Sequence, residues 1–505
     1  MSGEPRGEAS AKPAFRRKVA AGVGWTFVSA VSVRLMQFAV TIALARLLAP
    51  AQFGLFALAM MVITAVTLFR DLGLGQALIY HKTDVRRDAE TTFVIASAFG
   101  LAAWAAVYAA SPLVAALFGN NALIWPLRLM SFSVVISSLA TVPSVLLEKE
   151  LEFRKRAMPE FAMGLSYATV SILFAVAGMG VWSLVAGHIA STAASAAVAW
   201  RVSGWKPSVS FHRESARRIL AYGRPLMAAS LFFFVFFYID NAAIGKWLGV
   251  TILGYYSLAF TICNIPATNI THVVNRVMYP AYSKLNEDVS AVKEAYMRTV
   301  KSVALLSFPI GIWVCLAAGD FVVGFFGDKW RPAVPLFRVL AFYGTIRSIG
   351  STTSSIFMAL GQPKWVYRLS SLQLTIAVPL VYPAAMRYGA YGVAILFASA
   401  YTAGASLGLW KAARMLGLSA REFGGMFKST LVAAPIAVGA SFAASELALP
   451  PGAGAAIGSA ILALISYPLM MLALDRETYR IARPFLTLSG RRVYREKSPG
   501  KRASE

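Results

Sequence analysis

Charge is scarce in this chain: Asp, Glu, Lys and Arg make up 14% of its 505 residues. That is too little to coat a soluble domain of such size. Acids are rarer than bases, 23 Asp and Glu against 48 Lys and Arg. The two cysteines, Cys263 and Cys315, both lie in apolar runs, which rules out a disulfide framework and a cysteine metal cluster. Four histidines, His81, His188, His212 and His272, are scattered without ligand spacing, so no metal is expected. No GxxxxGK[ST] loop occurs, which excludes ATP hydrolysis by that route. Gly73 and Gly75 lack the third glycine and the strand context of a dinucleotide site, and fit helix packing instead. No cofactor is implied. No polar stretch is long enough to form a soluble catalytic domain.

Apolar residues are abundant, at 58%, and the mean hydropathy is +0.62. A run of about twenty apolar residues crosses a bilayer, and such runs recur from Val19 to Leu474. They predict about fourteen helices, in windows 19–48, 52–79, 91–117, 122–147, 159–178, 181–200, 222–247, 252–279, 299–320, 334–360, 365–386, 389–410, 427–448 and 453–474. The first window is too long for a signal-peptide core and is read as a retained anchor. The net charge of +25 would suggest nucleic acid in a soluble protein. Here the bases gather in alternate loops, at Arg16 to Lys18, Lys82 to Arg87, Arg154 to Arg156 and Arg201 to Arg224. That asymmetry places those loops and both termini in the cytoplasm, beside anionic lipid, and leaves no role for nucleic acid.

Internal similarity organises the spans. Leu48 to Ala59 (LAPAQFGLFALA) recurs as Leu248 to Ala259 (LGVTILGYYSLA), two hundred residues further on. Leu117-Phe118-Gly119 with Pro126-Leu127 matches Phe325-Phe326-Gly327 with Pro335-Leu336, and Gly180-Val181 matches Gly392-Val393. Three matches in order predict two six-helix repeats. An even helix number makes them parallel, facing each other across a central cleft. The expected organisation is a basic N-terminus at 1–18, an N-terminal lobe at 19–200, a linker at 201–221, a C-terminal lobe at 222–410, two extra helices within 411–474 and a basic tail at 475–505. The whole is an all-α integral membrane protein.

A charge at the bilayer centre costs roughly 2.5–3.5 kcal/mol on insertion scales, so each needs a partner or a wet cavity. Arg34, Arg70, Arg276, Arg347 and Arg128 lie in or near spans and are the candidate ligands for an anionic headgroup. Arginine suits phosphate oxygens because its guanidinium offers paired donors and keeps its charge. Arg128 and Arg338 hold related positions in the two repeats and also fit the role of interface anchors. Asp240, Asn241 and Asp71 are candidates for a counter-ion or cation site, and Glu160 lies near a span end. The clusters Phe232 to Phe234 and Phe236 to Tyr238 read as packed or lipid-facing surface.

Several segments resemble the Wzx-type polysaccharide flippases, members of the multidrug/oligosaccharidyl-lipid/polysaccharide (MOP) exporter superfamily. They are Ala45 to Leu48 running into Phe53-Gly54; Asp71 to Leu74; Glu148 to Arg156; Gly180 to Val185; Arg276 to Pro280; and Leu360 to Pro363. The resemblance implies a V-shaped core of the kind found in MATE exporters, built from two six-helix bundles, with two further helices and alternating access. It implies as substrate an undecaprenyl-diphosphate-linked oligosaccharide destined for exopolysaccharide, capsule or O-antigen. It also implies membrane lipids, a polysaccharide polymerase and chain-length or export proteins as partners. Two alternatives share the architecture: a MATE-like drug or cation exporter, whose cavity favours acids, and a lipid II flippase. A membrane glycan polymerase needs a large extracytoplasmic catalytic loop, and none is present.

Overall fold

The computed structural model describes residues 35–71, 74–80, 84–149, 153–208, 210–285 and 288–474. Among the described residues every regular element is helical. In order they are α1 (Leu35–Leu47), α2 (Pro50–Asp71), α3 (Leu74–Tyr80), α4 (Val85–Leu117), α5 (Ile124–Leu139), α6 (Thr141–Lys149), α7 (Phe153–Val176) and α8 (Val181–Ser203). Then come α9 (Arg213–Trp247), α10 (Val250–Leu285), α11 (Val289–Phe326), α12 (Val334–Ala359), α13 (Lys364–Met415), α14 (Ala420–Ala448) and α15 (Ala453–Leu474). In lipid no water serves the peptide groups, so each span must close its own hydrogen bonds, and a helix does so. Hydroxyls in the spans follow the same rule by bonding back one turn: Thr64 donates to the Met60 carbonyl at 2.7 Å and Ser138 to that of Val134 at 2.6 Å.

Nine of the described helices are long and apolar enough to cross a membrane. In three places the described helices divide the chain differently from the expected windows. The window 52–79 holds two helices, α2 and α3. The window 122–147 breaks at Ala140, between α5 and α6. Pro143 explains that break: it has no N–H for the carbonyl of Leu139, and its ring would collide with that carbonyl if α5 continued. The windows 365–386 and 389–410 are joined as α13, whose 52 residues are interrupted only at Gly389 (φ 61°, ψ −153°). A straight helix of that length would measure roughly 78 Å, far beyond the ~30 Å hydrocarbon core, so α13 is two spans with a one-residue corner. Only glycine takes such a conformation without strain.

The chain packs as two compact units. The first comprises Met1–Phe260, Phe325–Leu336 and Leu374–Phe397; the second comprises Thr261–Gly324, Phe337–Gln373 and Ala398–Glu505.

Within the first unit, the two copies of the repeated segment touch each other. A Cβ on Gly54 would stand 1.7 Å from the carbonyl oxygen of Val250, and one on Gly254 would stand 1.9 Å from that of Pro50. Residues 50 and 54 of one copy therefore meet 254 and 250 of the other, a reciprocal contact that only two glycines permit. Beside it, fully buried Trp330 donates its indole N–H to the Ala45 carbonyl at 2.8 Å and meets the rings of Phe53 and Tyr255 edge-on, at 5.2 and 5.8 Å. Arg46 donates to the Phe325 carbonyl, and Lys329 to that of Arg46, both at 2.7 Å.

At the opposite, basic end of this unit, fully buried Asp88 accepts from Arg218 at 3.0 Å, which fastens the start of α9 to α4. Apolar contacts reinforce the join, with Ala216 and Ile219 packed among Leu74, Ala77, Ile95 and Ala96. Lys149 donates to the Leu78 carbonyl at 2.9 Å. Burial lowers the pKa of that ammonium, and the charge of Asp88 works against the shift.

The second unit has its largest described core around Tyr282, Val292, Tyr296, Val300, Ile356, Phe357 and Leu409. Helices α14 and α15 join it through small residues: Ala433, Ala434, Ala437 and Ser441 on one, Ala455, Ala456, Ser459 and Ala463 on the other. Small side chains let helix backbones approach closely, which drives association where lipid is as apolar as leucine. The Trp313 indole donates to Ser459 at 3.0 Å, and the Gly452 N–H to Asp320 at 2.8 Å, so the last two helices are bound to α11. Ser419 and Glu422 form a reciprocal cap at the start of α14.

Candidate functional site

Among the described residues, each unit holds a polar cluster around a charged helix residue, Arg347 in the second and Asp240 in the first. In the second unit Arg347 projects from α12, half-buried. It donates Nη1 to the side-chain oxygen of Asn264 on α10 at 2.8 Å. An amide oxygen orients the guanidinium and is itself neutral. Around it stand Tyr343 and Tyr401, ring centroids 5.4 Å apart and edge-on. The Tyr401 hydroxyl is 3.2 Å from where a Cβ on Gly350 would stand, one turn along α12 from Arg347. Buried Thr345, Ser348 and Thr352 continue the polar character of this helix. Their hydroxyls bond back to the Ala341, Gly344 and Ile349 carbonyls, which releases none of the helix's own hydrogen bonds.

In the first unit Asp240, 3% exposed, is enclosed by neutral donors. One carboxylate oxygen accepts from the Asn241 backbone N–H at 2.7 Å and from its side-chain amide at 3.0 Å; the other accepts from the Tyr256 hydroxyl at 2.6 Å. Tyr256 is itself fully buried and stacks on Phe260 at 5.9 Å. Among the described residues no group of three or more His, Cys, Asp or Glu has the arrangement to hold a metal.

Arg128, in the first unit, makes different contacts. Its Nε donates to Ser111 at 2.9 Å and to the Tyr108 carbonyl at 3.4 Å, and its guanidinium lies 4.5 Å from the Tyr108 ring centroid and 5.2 Å from that of Trp125. Tyr108 and Trp125 are both exposed, and rings of this type with an arginine among them are typical of the membrane–water boundary. Arg338 is exposed on α12, and Glu160 is exposed on α7. Arg34 lies outside the described residues, and so do the side chains of Arg70, Asp71 and Arg276, whose backbones belong to α2 and α10. Of the aromatic clusters, Phe234 stacks on Tyr238 at 4.9 Å and Phe236 meets Phe237 edge-on at 5.0 Å.

Asn264, Tyr256 and Tyr401 were not singled out by their sequence context. Asn264 carried a usable signal, a lone amide inside the apolar run from Phe260 to Ile265. In lipid such a group is costly without a partner. The tyrosines carried none, because tyrosine is common in apolar helices and its hydroxyl finds a partner only through folding.

The described residues are those of a helical protein with nine helices long and apolar enough to cross a membrane. The family model described as polysaccharide biosynthesis protein matches residues 43–335, more than half of the chain, and the chain belongs to that family. It is 23% identical over 388 residues to the lipopolysaccharide biosynthesis protein WzxC of Escherichia coli (strain K12), covering 76% of this chain and 78% of that one. It is 26% identical over 351 residues to the succinoglycan biosynthesis transport protein ExoT of Rhizobium meliloti (strain 1021), covering 68% and 70%. Its fold is that of the lipid II flippase MurJ in an inward-closed conformation, with a TM-score of 0.73, 13% identity, and coverage of 92% of this chain and 99% of that one.

Proposed function

We propose that this protein is a flippase that carries a polyprenyl-diphosphate-linked oligosaccharide from the cytoplasmic to the outer leaflet of the bacterial inner membrane, for assembly of a surface polysaccharide. The relatives support this reading by their names, one in lipopolysaccharide biosynthesis and one in succinoglycan biosynthesis transport. The observation that carries it is Arg347, a guanidinium inside an apolar helix, oriented by the neutral Asn264. A lipid diphosphate offers the paired anionic oxygens such a group binds. The other intramembrane arginines, Arg34, Arg70, Arg276 and Arg128, are assigned to the same headgroup path or its mouth.

The protein acts as a secondary transporter, with both termini cytoplasmic as the basic loops require. Moving one negative charge outward across 100 mV, inside negative, releases about 2.3 kcal/mol, so the membrane potential assists export of a diphosphate. Asp240, whose two oxygens both accept from neutral donors, is assigned to holding the fold rather than to coupling.

Deletion of the gene, with measurement of surface polysaccharide and of lipid-linked repeat units, tests the reading. Polymer loss with accumulation of inward-facing intermediates, restored by the wild type and not by Arg347→Ala at matched expression, is the expected result. Unchanged polymer and intermediates, in a strain without a second flippase, would reject it and favour a drug exporter.

A further inference from the structure

The two ends of α13 lie side by side in the second unit, and four cations gather there. Trp365, in the first turn, packs on the buried core, its ring 6.5 Å from that of fully buried Phe357. Two cations stand over this one ring: Arg368, with its guanidinium carbon 5.3 Å from the centroid, and Lys411, with its Nζ at 4.8 Å. One turn beyond Lys411, Arg414 lies over Trp410 at 5.5 Å. Lys364 opens the helix.

None of these four cations has a carboxylate within ion-pair distance among the described residues. The acids of the neighbouring helices are engaged elsewhere: Glu422 bonds Lys293 at 2.8 Å and Ser419, Glu294 pairs with Arg298, and Asp288 caps the start of α11. A ring's negative face attracts a cation, but two cations on one ring also repel each other, and an anion between them would relieve that repulsion. Exposed Tyr367 and Trp410 flank the group, with 63% and 52% of their surfaces free. Amphipathic rings of this kind settle at headgroup depth.

We propose that this patch is a binding site for the phosphate of an anionic phospholipid in the leaflet facing the basic loops. Arg368 and Lys411 contact the phosphate, Trp365 holds both cations in place, and Tyr367 and Trp410 bed in the headgroup layer. The site is separate from Arg347 and needs no transport for its detection, so it stands or falls apart from the flippase reading.

The test uses the full chain, purified in detergent and titrated with phosphatidylglycerol, with phosphatidylcholine and, separately, with inorganic pyrophosphate, while bound lipid is counted by native mass spectrometry. Phosphatidylglycerol should be retained over phosphatidylcholine. Its occupancy should fall about fivefold for each charge removed in Arg368→Gln and Lys411→Gln. Arg368→Lys should keep most of the binding, and Arg331→Gln, an exposed cation already paired with Asp328, should change nothing. If the double variant does not remain monodisperse, the salt dependence of the wild type decides: added salt should release phosphatidylglycerol and leave phosphatidylcholine unaffected. Equal retention of the two lipids, undiminished binding in a folded double variant, or complete displacement of phosphatidylglycerol by pyrophosphate would each overturn the proposal, the last by making the patch a soluble-anion site.

Discussion

Asp240 and Arg347 are both ionisable residues within helices, yet their surroundings differ. Asp240 is closed off by three hydrogen bonds from neutral donors contributed by Asn241 and Tyr256. Arg347 is half-buried and takes its orientation from an amide on another helix. A carboxylate saturated by donors is held within the fold, and freeing it means breaking that shell. A guanidinium has five N–H donors in a planar fork, and the bond to Asn264 fixes how that fork is turned. The comparison separates a charge whose removal should be read mainly in stability from one whose removal should be read mainly in transport.

Substitutions at four positions test that separation. Arg347→Ala should have the largest effect, lowering flipping by about tenfold to a hundredfold, the worth of one or two charge-assisted hydrogen bonds to a diphosphate. Its melting temperature should stay near that of the wild type, and Arg347→Lys should fall between them. Transport by Arg347→Ala at the wild-type rate would erase the distinction. Tyr256→Phe should show the converse pattern, because it strips one donor from a buried carboxylate. A loss of about 1–3 kcal/mol is expected, visible as a lower melting temperature in detergent, and an unshifted melting curve would mean that Asp240 is not held as described. Asn264→Leu should reduce flipping by about tenfold or less, since it releases the guanidinium without removing it; an effect equal to that of Arg347→Ala would make Asn264 a direct ligand. Arg128→Gln should be the mildest, within about 1 kcal/mol in stability, as a cation–ring contact at an exposed site is worth little more. Flipping loss as severe as that of Arg347→Ala would move Arg128 from the mouth of the headgroup path into the path itself.

The repeated segment shows how far the sequence carried the fold. The similarity of Leu48 to Ala59 and Leu248 to Ala259 marked two related corners, and the structure brings Gly54 and Gly254 against each other's partner carbonyls. Repetition could be read from residue order, but the reciprocal touch could not, because nothing local in either copy says that it meets the other. Helix ends set by proline and glycine were legible in part: a window ran through Pro143, whereas the break expected after residue 386 falls within a few residues of the corner at Gly389. The candidate site was legible by halves. Arg347 and Asp240 stand out in apolar runs, whereas Asn264 lies 83 residues from the arginine it orients and Tyr256 lies 16 residues from the acid it caps, on the next helix. Arg128 was visible as a charge near a span, and its contacts with Tyr108 and Trp125 appeared only when α4 and α5 packed together.

Composition by itself determined the solvent and, through it, the secondary structure. A chain with 58% apolar and 14% charged residues enters lipid, and in lipid only elements that close their own hydrogen bonds persist. What each intramembrane charge does was decided by tertiary structure alone, because the cost of a buried charge is fixed by the groups within a few ångströms of it, and those come from other helices.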